Sequence, residues 1–191
     1  MKNRNVSKMV TVAMLGSISY LLMMLDFPFP GLPVFLRIDF SDVPGLVAAI
    51  LFGPGAMMIV EATKNILYYV VQGSFMGVPV GEVANFIAGC VFILPAAYFY
   101  RKYYSVKGLT TGLVVGTTIM TIGMSILNYY LILPAYTWFL NSPAMSSSAM
   151  KQLIITGILP FNIIKGVLVA VVSVLLVSRL QVWMATKIKS A

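Results

Sequence analysis

Long apolar segments recur along this chain, and they constrain its fold more than any other feature. One of them runs from about Leu153 to Val177, and about 20 apolar residues suffice to cross a hydrocarbon core of about 30 Å. Of the 191 residues, 60% are hydrophobic and 9% are charged, with a mean hydropathy of +0.95. An ordinary soluble domain has about 25% charged residues. We therefore predict an all-α integral membrane protein.

The apolar segments and the turns between them predict a single transmembrane domain over residues 1–191, built from six helices. The predicted spans are residues 7–25, 43–52, 54–71, 81–100, 109–133 and 151–180. Gly53-Pro54-Gly55 separates the second span from the third, because glycine and proline interrupt helices. The second span is short, and neighbouring loops or a thinned bilayer can complete it.

Two connections between the predicted spans have a distinct composition. The first, from Asp26 to Asp42, contains three prolines and a glycine, which forbid a continuous helix. Its aromatic and aliphatic residues predict a loop folded onto the protein, with Ser41 or Asp42 capping the next helix. The second is a predicted polar loop from Pro134 to Met150. Its aromatic residues, Tyr136 and Trp138, are typical of an interfacial belt.

The distribution of basic residues predicts the orientation in the membrane. With six spans both termini lie on one side, and that side collects nine of the thirteen basic residues: Lys2, Arg4, Lys8, Arg101, Lys102, Lys107, Arg179, Lys187 and Lys189. The opposite loops hold Arg37 and Lys151. The positive-inside rule therefore predicts cytoplasmic termini. This topology explains the net charge of +8, and attraction to the lipid bilayer is a secondary effect of the same basic residues. We predict no nucleic-acid partner.

Polar residues inside the spans predict a site for a small molecule. Asn162 and Lys165 lie three residues apart, on one face of a helix. A charged residue at membrane depth costs about 2.5 kcal/mol or more, so it usually faces the interior of a bundle. Glu82 and Asn85 in the fourth span and Asn128 in the fifth lie at a similar depth in the outer half. Amide, carboxylate and ammonium groups among apolar walls suit a neutral, hydroxyl-rich, partly aromatic ligand.

Each of these polar residues also has a structural interpretation. Asn162, Lys165 and Asn128 can form hydrogen bonds between helices. Glu82 can favour a helix N-terminus. In the third span, we interpret Glu61 and Lys64 as an internal ion pair that lies away from the ligand.

A possible interface lies in the first span. Ala13 and Ser17, with Gly16 beside them, form a small-x-x-x-small face that lets another helix approach closely. Packing against a helix of the same chain is the alternative interpretation.

Several absences from the sequence limit the function. The chain has no histidine, so catalysis by histidine and metal sites made of histidine are excluded. We predict no catalytic residues and no metal ligands. The phosphate-binding motif Gly-x-x-x-x-Gly-Lys-Ser/Thr is also missing, so active transport would draw its energy from a partner or an ion gradient.

Five segments together carry a family resemblance. They are Arg37-Ile38-Asp39-Phe40-Ser41-Asp42-Val43-Pro44, Phe52-Gly53-Pro54, Gly81-Glu82-Val83-Ala84-Asn85-Phe86, Asn128-Tyr129-Tyr130 and Pro160-Phe161-Asn162-Ile163-Ile164-Lys165-Gly166. With them the chain resembles the riboflavin-specific substrate-binding (S) component of energy-coupling factor (ECF) vitamin transporters. The resemblance covers nearly the whole chain and includes its length.

The resemblance implies a bacterial plasma-membrane protein with six helices that binds riboflavin as its transported ligand, needs no cofactor and is not an enzyme. Its implied partners are a membrane T component and two cytoplasmic ATPases. Asn128, Asn162 and Lys165 match polar ligand contacts of the family, and Glu82 and Asn85 are further candidates.

The family's first helix meets the T component through an Ala-x-x-x-Ala pattern. Here Ala13 is present and Ser17 replaces the second alanine. Serine is also small, so the resemblance implies that this face docks to the partner.

Three other functions stay open on the sequence. The chain could serve another vitamin within the same fold, or it could be an autonomous secondary transporter of a small neutral solute. A membrane-embedded enzyme would have to rely on Glu82, Lys165 or tyrosines.

Overall fold

The computed structural model describes residues 2–74, 77–141 and 143–190, with the side chains of residues 5–181 in these ranges. The helices are α1 Lys2–Met24, α2 Asp42–Phe52, α3 Pro54–Gln72, α4 Val80–Tyr103, α5 Val106–Leu127, α6 Leu133–Phe139, α7 Ser147–Leu153 and α8 Leu159–Ser190. Two π-helical turns, Asn128–Ile132 and Ile154–Ile158, join α5 to α6 and α7 to α8. Two short strands, β1 Phe27–Pro28 and β2 Arg37–Ile38, pair antiparallel.

The fold is that of a helical membrane protein. Among the described residues, four helical stretches are long and apolar enough to cross a membrane: Asn5–Met24, Val80–Tyr103, Val106–Phe139 and Ser147–Gln181. The predicted second span corresponds to α2, an apolar helix of 11 residues. The predicted third span corresponds to α3, whose 19 residues include the buried charges Glu61 and Lys64. Length and composition therefore support four crossings directly, and α2 and α3 lie between the first and second of them.

The predicted polar loop from Pro134 to Met150 is wrong at both ends. The fifth helical stretch continues to Phe139, and α7 begins at Ser147. Pro134 is the second residue of α6 and directly follows the π-helical turn Asn128–Ile132, so it lies where the regular α-helical hydrogen-bond pattern is already interrupted. Ser146 caps α7, since its hydroxyl accepts a hydrogen bond from the Ala149 N–H at 3.2 Å.

The predicted cap of α2 is also wrong. Ser41 precedes α2 with a helical backbone conformation, and its side chain makes no capping hydrogen bond. Its hydroxyl instead donates to the carboxylate of Asp39, and the carboxylate of Asp42 accepts from Lys64. Two buried lysines in the neighbourhood compete for these oxygens, and ionised partners bind them more strongly than a backbone N–H does.

Helices α4 and α5 run antiparallel in close contact through three glycines of α5. Gly108, Gly112 and Gly116 are spaced four residues apart, so they lie on one face of the helix. A Cβ atom added at Gly112 would lie 2.7 Å from both the Cα of Ala96 and the carbonyl oxygen of Pro95. The backbones therefore approach at a distance that only glycine permits.

The two ends of the bundle differ in charge. At one end, here called the basic end, Lys8 lies 5.9 Å from the ring centre of Phe52 and Arg101 lies beside Gly53. Gln181 of α8 donates to the Tyr104 carbonyl at 3.4 Å, so the last helix also reaches this end of the bundle. The strand pair β1–β2 belongs to the first connection and lies at the other end, here called the hairpin end. The side chains of four basic residues used to predict orientation lie outside the described residues: Lys2, Arg4, Lys187 and Lys189.

Candidate ligand-binding site

A cavity of about 780 Å³ lies toward the hairpin end, between the first connection and helices α4, α5, α6 and α8. All five residues predicted to contact a ligand line it: Glu82, Asn85, Asn128, Asn162 and Lys165. Apolar side chains from the same elements, including Leu36, Met124 and Phe161, form much of the remaining wall. The volume is within the range of about 300–1,000 Å³ that is usual for small-molecule sites.

Lys165 is the central charge of the cavity wall. The residue is 4% exposed. The ammonium donates to Asp39 Oδ2 at 3.1 Å and to Asn85 Oδ1 at 3.0 Å, and Asp42 Oδ2 lies 3.8 Å away. An ammonium has three donors, so two hydrogen bonds leave capacity for one more acceptor. Lys165 can therefore bind a ligand oxygen or nitrogen while its charge remains paired.

A chain of amides holds Asn85 in place. Its Nδ2 donates to Asn65 Oδ1 at 3.2 Å, and the Nδ2 of Asn65 donates to the Glu61 carbonyl at 2.8 Å. Because the amide nitrogen of Asn85 points to Asn65, its amide oxygen is turned toward Lys165. This arrangement connects α3, α4 and α8 at the wall of the cavity.

The two predicted asparagines outside α4 lie next to the π-helical turns. Asn128 begins the first turn and donates to the Met124 carbonyl at 2.7 Å. Asn162 follows the second turn and donates to the Ile158 carbonyl at 2.8 Å. Single π-helical turns frequently occur at functional sites, because they shift the register of the side chains on a helix. Each asparagine uses one amide donor within its own helix and presents the rest of its amide to the cavity.

Glu82 lies at the start of α4, and its side chain is 9% exposed. Its Oε2 is buried and accepts no hydrogen bond from the described residues. Tyr136 lies nearby, since its hydroxyl would be 2.9 Å from a Cβ atom added at Gly81. Tyr136 lines the cavity, whereas Trp138 is 74% exposed, and their predicted place in an interfacial belt stays a prediction. The helix continues past Ile132 into α6, and the helical register there turns the Tyr136 side chain toward the cavity.

The predicted ion pair between Glu61 and Lys64 is present and fully buried, with 2.7 Å between Lys64 Nζ and Glu61 Oε2. Neither residue lines the cavity, as expected for a structural pair. Lys64 also binds Asp42 and donates to the Ser41 hydroxyl at 2.8 Å. A second carboxylate and a hydroxyl therefore join the predicted pair and connect α3 to the first connection.

The first connection forms one side of the cavity through charged and aromatic residues. Arg37 Nε lies 2.7 Å from Asp26 Oδ2, and Tyr68 of α3 donates to the same oxygen at 3.2 Å. The side-chain hydrogen bond to Asp26 raises the pKa of Arg37 above its ordinary value. These contacts close the base of the β1–β2 hairpin and fix it to α3.

Sequence reasoning missed Asp39, Asp26 and Tyr68 as residues of the cavity wall. Asp39 lies inside one of the segments that carry the family resemblance. The sequence offered one more indication of Asp39. A lysine at membrane depth such as Lys165 needs a counter-charge, and the chain has only five acidic residues that could provide it.

The predicted partner face of α1 is on the surface. Ala13 and Ser17 are exposed, whereas Gly16 is buried against Thr63, 3.2 Å from an added Cβ atom. Large apolar residues surround the two small ones on the exposed side, with Met14 60% and Leu21 57% exposed. The internal-packing alternative therefore applies to Gly16, while Ala13 and Ser17 stay accessible to another helix or to lipid.

Comparisons with known proteins agree with this architecture. The chain is similar to the riboflavin transporter FmnP of Bacillus subtilis, with 59% identity over 93% of this chain and 94% of that protein. It is also similar to the riboflavin transporter RibU of Staphylococcus aureus, with 45% identity over 91% of this chain and 89% of that protein.

A solved structure, described as the S component of a bacterial ECF transporter, shares the fold. It has a TM-score of 0.79 and 42% identity, over 96% of this chain and 99% of that one. Residues 7–177 match the protein family described as "ECF transporter, substrate-specific component". The chain therefore belongs to the family of substrate-specific components of ECF transporters.

Proposed function

We propose that this chain is the riboflavin-binding S component of an ECF transporter and takes up vitamin B2. The observation that carries the proposal is the cavity of about 780 Å³, whose wall contains Glu82, Asn85, Asn128, Asn162 and Lys165 together. The names of the relatives at 59% and 45% identity support riboflavin as the ligand.

The chemistry of the cavity suits riboflavin. The planar ring system is apolar on its faces and carries carbonyl oxygens and ring nitrogens at its edge, and the ribityl chain carries hydroxyls. Aliphatic and aromatic side chains of the wall can pack on the ring. The amides of Asn128 and Asn162 and the ammonium of Lys165 can donate to its oxygens and nitrogens. Glu82 Oε2, which accepts no hydrogen bond from the residues that the structure describes, can accept one from a ligand hydroxyl.

We further propose that residues 1–191 form one domain that crosses the bacterial cell membrane six times, with both termini in the cytoplasm. The position of Lys8, Arg101 and Gln181 of α8 at one end of the bundle supports this orientation. In this topology the cavity faces the outside of the cell. The charges of α3 are paired inside the bundle, so α3 can also cross the membrane without exposing a charge to lipid.

The proposed partners are a membrane T component and two cytoplasmic ATPases. The ATPases supply the energy for transport, because the sequence of this chain contains no phosphate-binding motif. Exposed Ala13 and Ser17 on α1 support a close approach of a partner helix. The mechanism is binding followed by reorientation, without covalent chemistry, so riboflavin is cargo rather than a cofactor. The first connection closes over the ligand, and the partner complex turns the loaded protein to release it inside.

The test is a comparison of riboflavin affinity between the native protein and two variants, Asn162→Ala and Lys165→Ala, each purified in detergent. Loss of a buried hydrogen bond to the ligand weakens binding by about 10-fold, and loss of a charged donor weakens it by up to about 100-fold. Thr118→Ala is the matched control, because Thr118 is exposed on α5 and its hydroxyl bonds only its own helix among the described residues. Native affinity in both test variants would contradict the assignment of the site.

A further inference from the structure

Asp39 is a buried carboxylate whose two oxygens have different partners. The residue is 4% exposed. Oδ1 accepts from the Ser41 N–H at 2.8 Å and from the Ser41 hydroxyl, whereas Oδ2 accepts from Lys165 at 3.1 Å. The hydrogen bonds from Ser41 fix the carboxylate, so its second oxygen is aimed at the ammonium.

Ser41 is itself fixed on two sides. Lys64 donates to its hydroxyl at 2.8 Å, and Ser19 of α1 donates to its carbonyl. Ser19, Ser41 and Lys64 are all fully buried. The position of Asp39 is therefore set by α1 and α3, independently of any ligand in the cavity.

The other carboxylates near Lys165 make no hydrogen bond with it. Asp42 is bound to Lys64 and its nearer oxygen lies 3.8 Å from Lys165, beyond hydrogen-bond distance. Glu61 is paired with Lys64 as well. Within the described residues, Asp39 is the one carboxylate that accepts a hydrogen bond from Lys165.

We propose that Asp39 is a positioning residue for ligand binding, which holds the Lys165 ammonium at the cavity wall and acts on the ligand through it. This inference rests on the proposed function, because it assumes that Lys165 contacts riboflavin. A lysine has four rotatable bonds, so an unheld ammonium samples many positions and loses entropy when it binds. Asp39 removes that cost in advance. It also makes the position of Lys165 depend on the first connection, since Asp39 follows β2 directly.

The experiment is a double-mutant cycle on the full-length protein in detergent, read by the quenching of riboflavin fluorescence. The variants are Asp39→Asn, Lys165→Met and the double variant. We expect Asp39→Asn to weaken binding by about 10- to 100-fold in the native background, as for loss of a charge-assisted hydrogen bond. In the Lys165→Met background the same change should alter the affinity less than about 2-fold, because Asp39 acts through Lys165.

Asp26→Asn is the matched control, since Asp26 is also a carboxylate of the first connection and of the cavity wall but pairs with Arg37. Its effect, whatever its size, should be equal in the native and Lys165→Met backgrounds. Asp39→Glu keeps the charge and should recover part of the affinity that Asp39→Asn loses. This recovery separates positioning by charge from a general loss of structure.

Each outcome has a definite meaning. Equal losses from Asp39→Asn in both backgrounds would show that Asp39 meets the ligand independently and would overturn the inference, as would native affinity in Asp39→Asn. If Asp39→Asn cannot be purified but the double variant folds, the unpaired buried lysine is the cause, and Asp39→Glu then decides by its affinity. Native protein that ignores riboflavin would refute the proposed function itself, and this result is distinct from a failed cycle on a protein that binds.

Discussion

Replacing Gly112 with alanine should destabilise the bundle, because this glycine lets α5 touch the backbone of α4. An added Cβ atom would lie 2.7 Å from the Cα of Ala96 and from the carbonyl oxygen of Pro95. Both neighbours are backbone atoms of a helix, so neither can rotate away, and the two helices must separate. Separation would also disturb Phe92 and Ile93, which are buried beside this contact in the main core.

The magnitude follows from two opposing effects. Overpacking of this kind costs up to about 3 kcal/mol. Alanine recovers about 1 kcal/mol relative to glycine in a helix interior. The net loss of about 2 kcal/mol corresponds to a fall of roughly 4–8 °C in Tm for a chain of this size. Thermal unfolding in detergent, followed by circular dichroism and by the monodispersity of the heated sample, measures this shift.

Gly123→Ala is the matched control in the same helix. A Cβ atom added at Gly123 has no atom of the described neighbouring residues within 4 Å. The substitution therefore gains helix propensity without a clash, and its Tm should stay level or rise by about 2–4 °C. Equal Tm values for the two alanine variants would refute the argument that backbone contact at Gly112 holds α4 and α5 together.

Three other predictions test the buried charges and the partner face. Lys64→Met should lower the stability by about 3–5 kcal/mol in thermal unfolding, because it leaves Asp42 and Glu61 as unpaired buried carboxylates; a loss below 1 kcal/mol would show that these charges are not buried as described. Gly89→Ala should also lower the Tm, since its Cβ would lie 2.5 Å from Glu61 Oε2, and an unchanged Tm would contradict this packing. Ala13→Trp should prevent co-purification with the T component and ATPases while riboflavin affinity stays native, because Ala13 is exposed and far from the cavity wall; intact complex formation would argue against this face.

The residues that sequence reasoning located best are polar residues inside apolar segments. A lysine or an amide at membrane depth is costly unless it faces the interior, so Lys165, Asn162 and Asn128 stood out from their neighbours. Their similar depth in the membrane followed from counting helical turns from the predicted ends of the spans. The structure places all of them on one cavity, although their contacts with a ligand remain a prediction.

Asp39 was missed for a physical reason. It lies in a connection, where a carboxylate is usually solvated, and its partner is 126 positions away in the sequence. No periodicity links a loop residue to a helix at that separation. The counter-charge of Lys165 could be deduced only by asking which of the few carboxylates reaches it, and that depends on how the hairpin folds back.

The glycine contacts and the π-helical turns could not be predicted in detail either. The spacing of Gly108, Gly112 and Gly116 indicates one face of a helix, but a face can be turned to lipid or to a neighbour with the same sequence. The rotation of α5 decides this, and packing sets that rotation. The turn at Asn128–Ile132 similarly shifts the register of the residues that follow it, among them Tyr136 at the cavity wall.

The most direct measurement is a titration of ligand-free protein with riboflavin, after a visible absorption spectrum of the protein as purified in detergent. We predict a flavin band that co-purifies, and fluorescence quenching that saturates at about one ligand per chain, as one cavity of this volume implies. A colourless protein that leaves the fluorescence of added riboflavin unchanged would contradict the proposed function. Such a result would keep the family and direct the search for the ligand toward another vitamin.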